Sequence, residues 1–276
     1  DVFTWDGRTA GCRAHELRAQ GAGRTSRGHE TMLTAIVLAL HPVAEGRLPM
    51  SHGALANAAA LDLFLRLDPA FSRSLHEDAP QKPFTVSPIW GPFERQGPEL
   101  LLTPEAIYTW RITGLTPAVS DRLLALSPAV GGVRIGEAVF TIATVATTVE
   151  EHPEAGQESY EALRARCNGG PPGAVFRLRF LTPTTFRVGR SEQPFPLPRW
   201  AFGSLLATWN AFAPEPLDIA KDLIETKVVL SNWRGETRRV ELGQRRTVGF
   251  LGTFTYRVLD PSPEFCRMIG MLTELA

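Results

Sequence analysis

Two histidines and a lysine carry the side chains that acid–base work at a phosphate would need. His76 ends the short apolar stretch AFSRSLH, and Lys82 follows six residues later, immediately before PFTVSP. Imidazole has an unperturbed pKa near neutrality, so a histidine here can take or give a proton, and an ammonium beside it can hold an anion. A plainer reading stands next to this one. A histidine in the last turn of a helix is stabilised as a cation by the helix dipole, and a lysine before a proline is an ordinary solvated side chain. His52 lies in SHGALANAAALDLF, at the start of a longer helical pattern. The dipole disfavours a cation there, which suits a neutral base and equally suits a merely exposed side chain.

The arginines form a second group. Arg177 and Arg179 alternate with Phe176, Leu178 and Phe180. Strand period two puts both guanidiniums on one face and the apolar residues on the other. Arg187, Arg190, Arg238, Arg239, Arg245 and Arg246 add charge near expected strand ends and turns. A solvated polar face accounts for such a set, and so does a track for an RNA backbone, whose phosphates give binding a strong salt dependence. Net charge is zero over 276 residues. From Arg164 onward, however, sixteen Lys/Arg stand against ten Asp/Glu, and this asymmetry points to an anionic partner for the second half.

Composition removes other classes. Cys12, Cys167 and Cys266 are odd in number, far apart and without metal-ligand spacing. Neither a disulfide framework nor a zinc site is expected, and a reducing cytoplasm is. No metal and no cofactor are expected: there is no Walker loop, no paired-carboxylate metal motif, and GVRIGE is too short for a dinucleotide fingerprint. No apolar run approaches the ~18 residues of a membrane span. LTAIVLAL (33–40) has the look of a signal-peptide core, but the 31 residues before Met32 are too long and contain acids, so a strand opening a domain is the better reading.

The elements that must position these residues follow a rhythm. Residues 1–31 lack periodicity and read as a disordered extension. LTAIVLAL reads as a strand and 48–67 as a helix capped by Ser51. Asp68 caps a second short helix with Pro69 in its first turn. Segments 83–91 and 99–115 read as strands, 116–128 as a helix, and 133–149 as extended. This is the βαββαβ order of a ferredoxin-like domain over 32–149. Residues 150–173, with a short helix around SYEALRAR and the cluster NGGPPG, read as a linker. The pattern restarts over 174–276: strand 175–182, helix 199–212, strands 226–233 and 245–259, and a helix from 262 capped by Ser262. A final strand is expected and missing, so the second domain reads as incomplete at its C-terminus. Phe250, Phe254 and Tyr256 share one strand face and are assigned to its core. The fold class is therefore α+β, two tandem ferredoxin-like (RRM-like) domains.

Four strings in order sharpen this. LHEDAPQKPFTVSPIWG resembles the "LHE … KPFT-S-P" stretch of the CRISPR repeat-processing endoribonucleases of the RAMP superfamily. RLRFLTPTTFR is similar to their "L-F-TPT-FR" strand and turn, FGSLLATWNAFAP to the helix that follows, and GFLGTFTYRV with PEFCRMIGMLTELA to the last hairpin strand and helix. The resemblance implies metal-independent cleavage of precursor CRISPR RNA within its repeats. A ribose 2′-hydroxyl attacks the adjacent phosphate, leaving a 2′,3′-cyclic phosphate and a 5′-hydroxyl. It implies His76 as the "LHE" histidine, Lys82 as the lysine that follows, and His52 as a second histidine near the first helix. Some members carry a tyrosine fifteen residues before the "LHE" histidine; here that position is Leu61. The family's glycine-rich RNA-gripping loop would lie past Ala276. The expected partner is CRISPR repeat RNA, with the chain as monomer or homodimer. The rival reading is a non-catalytic RNA-binding subunit that joins other subunits of a CRISPR effector complex. A tandem ferredoxin-like metabolite-binding protein is the third, and it predicts binding that hardly depends on salt.

Overall fold

The computed structural model describes residues 32–76, 81–168, 175–242, 245–259 and 262–276. The N-terminal extension and residues 169–173 of the NGGPPG cluster fall outside them. Two compact units result, the first centred on residues 32–158 and the second on 159–240 and 247–276.

The first unit runs β1 (Met32–Pro42), β2 (Gly46–Pro49), α1 (Gly53–Leu67), α2 (Pro69–His76), β3 (Phe84–Val86), β4 (Glu94–Gln96), β5 (Glu99–Leu102), β6 (Tyr108–Gly114), α3 (Pro117–Leu124), β7 (Val133–Ile135), β8 (Ala138–Ala146) and β9 (Gly156–Ser159). Its main sheet has the order β3-β6-β1-β8-β7, with β9 also paired to β1. Strands β3, β6, β1 and β8 stand in the ferredoxin-like order. β1 sits centrally because its residues Ile36, Leu38 and Leu40 are all apolar and fully buried. Helix α1 covers that face with Ala56, Ala59, Ala60, Leu63 and Phe64, and its alanines leave room for close helix–sheet approach.

Several expected elements are shorter or divided. Residues 46–49 form a strand, so α1 starts at Gly53 with His52, not Ser51, at its N-cap position. The segment 99–115 breaks after Leu102 into β5 and β6, and β5 joins a separate sheet β2-β5-β4. Pro104 lies in that break, where a proline cannot donate to a ladder. The segment 133–149 is a hairpin, β7-β8, turning at Gly136, whose φ of 61° favours glycine.

The second unit runs α4 (Tyr160–Asn168), β10 (Val175–Thr184), β11 (Phe186–Val188), β12 (Ser191–Gln193), α5 (Pro198–Phe212), α6 (Lys221–Lys227), β13 (Val228–Leu242), β14 (Arg245–Val258) and α7 (Pro263–Leu275). Among the described residues its main sheet is β10-β14-β13, the first, third and second strands of the ferredoxin-like order. Phe250, Phe254 and Tyr256 are at most 1% exposed and fill the core. Ser262 caps α7 by accepting from the Phe265 amide.

The break between units falls at 158/159, whereas the sequence pattern marks 150–173 as a linker. β9 completes the first unit, and the helix expected around SYEALRAR is α4 of the second. Tyr160 and Leu163 give α4 a buried face, with the Tyr160 ring edge-on to Trp209 at 5.2 Å. That burial is why the segment is ordered into the unit.

Strands β13 and β14 approach unusually closely at two glycines. A Cβ on Gly235 would lie 2.3 Å from the Leu251 carbonyl oxygen, and one on Gly252 (φ 133°) would lie 2.3 Å from that of Arg234. Only glycine fits either position.

Candidate active site and nucleic-acid interface

Helix α2 is the element that places His76, and three interactions fix it. Asp68 Oδ1 accepts from the amides of Ala70 and Phe71, both at 3.0 Å, as an N-cap should. Asp68 Oδ2 pairs with Arg122 of α3 at 2.8 Å. The bond from the Phe71 amide, then that from Arg122, holds the Asp68 carboxyl below the usual carboxylate range. The Arg122 guanidinium also lies over the Phe71 ring at 4.3 Å. Leu75 and Ser72 are buried beneath the helix. His76 is the last residue of α2; its side chain, and Glu77 of the "LHE" string, lie outside what the structure describes.

Lys82 returns to the same helix end. Its Nζ donates to the Leu75 carbonyl at 2.6 Å, which satisfies an orphan carbonyl of the last turn and puts a cation where the dipole favours one. The residue is exposed. The Lys82 ammonium therefore lies at the carbonyl of the residue that precedes His76 at the end of α2.

His52 is elsewhere and differently placed. It is 2% exposed. The Ile89 amide donates to Nε2 at 2.9 Å, so Nε2 is the acceptor nitrogen and Nδ1 carries the proton that it donates to the Pro49 carbonyl, also at 2.9 Å. The ring tilts against Phe93 with centroids 6.1 Å apart. Burial pushes its pKa below the ordinary histidine value, against smaller opposite effects of hydrogen bonds to Pro49, Ile89 and Met50. Burial thus favours the neutral imidazole, and both of its nitrogens are bonded to backbone.

The arginine face on β10 has the expected geometry. Arg177 and Arg179 are exposed while Leu178 and Phe180 are buried. Across the ladder Arg177 faces Thr255, Arg179 faces Thr253, and Val175 faces Arg257. Arg257 is exposed and on the same face, and among the described residues none of these three arginines is in an ion pair. The sequence reading missed Arg257, although its two-residue spacing from Thr255 and Thr253 was visible; only the strand register shows that it joins the other two. Arg187 faces Glu192 across the β11–β12 hairpin, and Arg190 is exposed in its turn. Arg238 is paired with Glu236, which offsets its charge. Arg239 and Arg246 are exposed. Arg245 opens β14, and its side chain lies outside the description.

No group of three or more His, Cys, Asp or Glu side chains among the described residues converges as a metal site. No described helix is long and apolar enough to cross a membrane.

Comparison with known proteins agrees with this architecture. The family model of the CRISPR-associated endoribonuclease Cas6 matches residues 178–275. No curated protein sequence matches the chain. Among solved structures, a Thermus thermophilus Cas6 in its product complex is 31% identical, with a TM-score of 0.67 over 87% of this chain and 91% of that one. A second structure of that protein gives 29% identity and a TM-score of 0.65 over 89% and 90%. Another Cas6 product complex gives 26% and 0.67 over 89% and 91%. With that identity across nine-tenths of a solved relative, and the tandem ferredoxin-like order in both units, the chain belongs to the Cas6 family, the RNA-cleaving enzymes of CRISPR RNA processing.

Proposed function

We propose that the protein cuts precursor CRISPR RNA within its repeats without a metal ion, by attack of a ribose 2′-hydroxyl on the adjacent phosphate. The observation that carries this reading is the likeness, over 87% of this chain and 91% of the other, to a Cas6 solved with its product; another Cas6 was solved with a substrate mimic. The reaction needs a base for the hydroxyl, an acid for the leaving oxygen and positive charge on the developing phosphorane. His76 is assigned as the lead acid or base. Lys82, held at the same helix end, supplies the charge. His52 is the second imidazole, and its two backbone bonds give it a positioning part: it ties the start of α1 to Ile89, six residues beyond the Lys82–Pro83 turn.

The test is incubation with CRISPR repeat RNA in EDTA, followed by analysis of product ends. The expected result is cleavage to a 2′,3′-cyclic phosphate and a 5′-hydroxyl. Binding without cleavage would overturn the nuclease and leave the non-catalytic subunit; cleavage only on metal addition would overturn the mechanism.

The exposed arginines of β10 and β14 hold the RNA backbone in this reading. Each lost phosphate contact on a single strand lowers the slope of log K against log salt by about 0.7. The Arg177→Ala/Arg179→Ala double variant is expected to weaken binding and flatten that slope by about 1.4, measured by fluorescence anisotropy across a salt series. An unchanged slope would return both residues to a merely solvated face.

A further inference from the structure

Trp233 on β13 is a large aromatic side chain left 52% exposed. Its plane is nevertheless fixed. The ring lies parallel to Phe254, 7° between planes and 6.1 Å between centroids, and Phe195 meets it edge-on at 5.7 Å and 90°. Phe254 is itself fully buried in the core of the second unit. The backbone just beyond is pinned as well, because the Arg234 carbonyl and Gly235 sit against Gly252 and Leu251 at distances that only glycines permit. A merely packed tryptophan would be covered. A merely solvated one would not be clamped on two sides and anchored at its backbone.

The surroundings indicate what such a ring could hold. Asn232 and Arg234, on either side of it in the chain, are exposed, and Arg238 and Arg239 follow on the same strand, which also carries Glu236, paired with Arg238, and Glu241. A rigid π-face beside a locally cationic strand suits a ligand that is flat, aromatic and tied to negative charge. An apolar peptide would gain nothing from the arginines, and a phosphate alone would gain nothing from the ring.

We propose that Trp233 is a stacking platform for an unpaired base of the bound RNA. This rests on the RNA-processing reading above and extends it to a residue outside the catalytic and β10 arginine sets. The role is positioning: it seats the strand and touches no reacting atom. Stacking on an aromatic residue is tolerant of base identity and accounts for roughly ten- to hundredfold in affinity per base. Unlike a phosphate contact, it leaves the salt dependence unchanged.

The experiment uses the full chain, a fluorescein-labelled mixed-sequence single-stranded RNA, and the variants Trp233→Phe, Trp233→Leu and Trp233→Ala. Affinities are measured across a salt series, beside thermal melts of each variant. Expected are near wild-type affinity for the phenylalanine variant, a ten- to hundredfold loss for leucine and alanine at an unchanged salt slope, and RNA-induced quenching of tryptophan emission that shrinks in all three. Leucine keeps an apolar side chain on Phe254, so a loss shared by leucine and alanine at wild-type melting temperature is a loss of stacking. Equal affinity in all four proteins overturns the proposal, as does a loss that tracks the melting temperature. Failure of the wild-type protein to bind any RNA, repeat sequences included, would instead overturn the RNA reading itself.

Discussion

Replacing His76 with alanine is expected to lower the rate of repeat-RNA cleavage by about 10²–10⁴-fold, the contribution typical of a positioned acid or base, while RNA affinity is expected to change by no more than a few-fold. The expectation rests on where α2 ends. The cap at Asp68, the Asp68–Arg122 pair and the Phe71–Arg122 contact hold that helix from its first turn. Lys82 closes its last turn through the Leu75 carbonyl. None of these interactions uses the His76 imidazole, so its removal should leave the helix standing and the fold intact. Single-turnover cleavage beside anisotropy binding and a thermal melt separates the possibilities. Unchanged cleavage would remove His76 from the chemistry and shift the search to Lys82 and His52. Lost cleavage together with lost binding would make it a binding residue.

The second large effect is on stability. His52→Ala leaves the buried Ile89 amide without its partner, frees the part-buried contact to the Pro49 carbonyl and opens a gap beside Phe93. Unsatisfied buried groups cost about 1–3 kcal/mol each, and the lost packing adds to that. A loss of roughly 2–4 kcal/mol is expected, read as a fall of about 5–15 °C in melting temperature. The pH dependence has a definite sign. Burial holds the folded pKa of His52 below its ordinary 6.5, so below that pH the unfolded chain binds the extra proton and the folded chain does not. The stabilising contribution is complete above pH 6.5 and is lost as the pH falls toward the folded pKa, at up to about 1.4 kcal/mol per pH unit. Denaturant unfolding of the wild type between pH 7 and 5 should show this slope, and His52→Asn should remove its share. Cleavage that disappears in His52→Asn at an unaltered melting temperature would show instead that the imidazole takes part in proton transfer.

Some of this was legible from short stretches. The Asp68–Pro69 start of α2 was visible because an N-cap acts within three residues. The Arg177/Arg179 face was visible because side chains on a strand alternate, and the Ser262 cap for the same local reason as Asp68. Two divided segments carried signals that their apolar content overshadowed: Pro104 inside 99–115, and the glycine of the Gly136 turn inside 133–149. The linker boundary was hidden. The acidic stretch from 150 to 158 resembles a solvated connector, and only pairing of β9 with β1 shows that it finishes a sheet.

By itself the sequence determined the family, through four strings in order, along with the α+β class and the residues to which chemistry could be assigned. Those depend on side-chain identity and on spacings of two to four residues, which local backbone geometry translates directly. The tertiary structure decided which of them meet. Arg122 reaches Asp68 across 54 residues and Ile89 reaches His52 across 37. Arg257 joins Arg177 and Arg179 through strand register, and Trp233 is clamped by Phe195 and Phe254. The same histidine can be an exposed base or a buried tie between two backbone segments. The choice is made by burial and by partners far away in the chain, which no local pattern encodes.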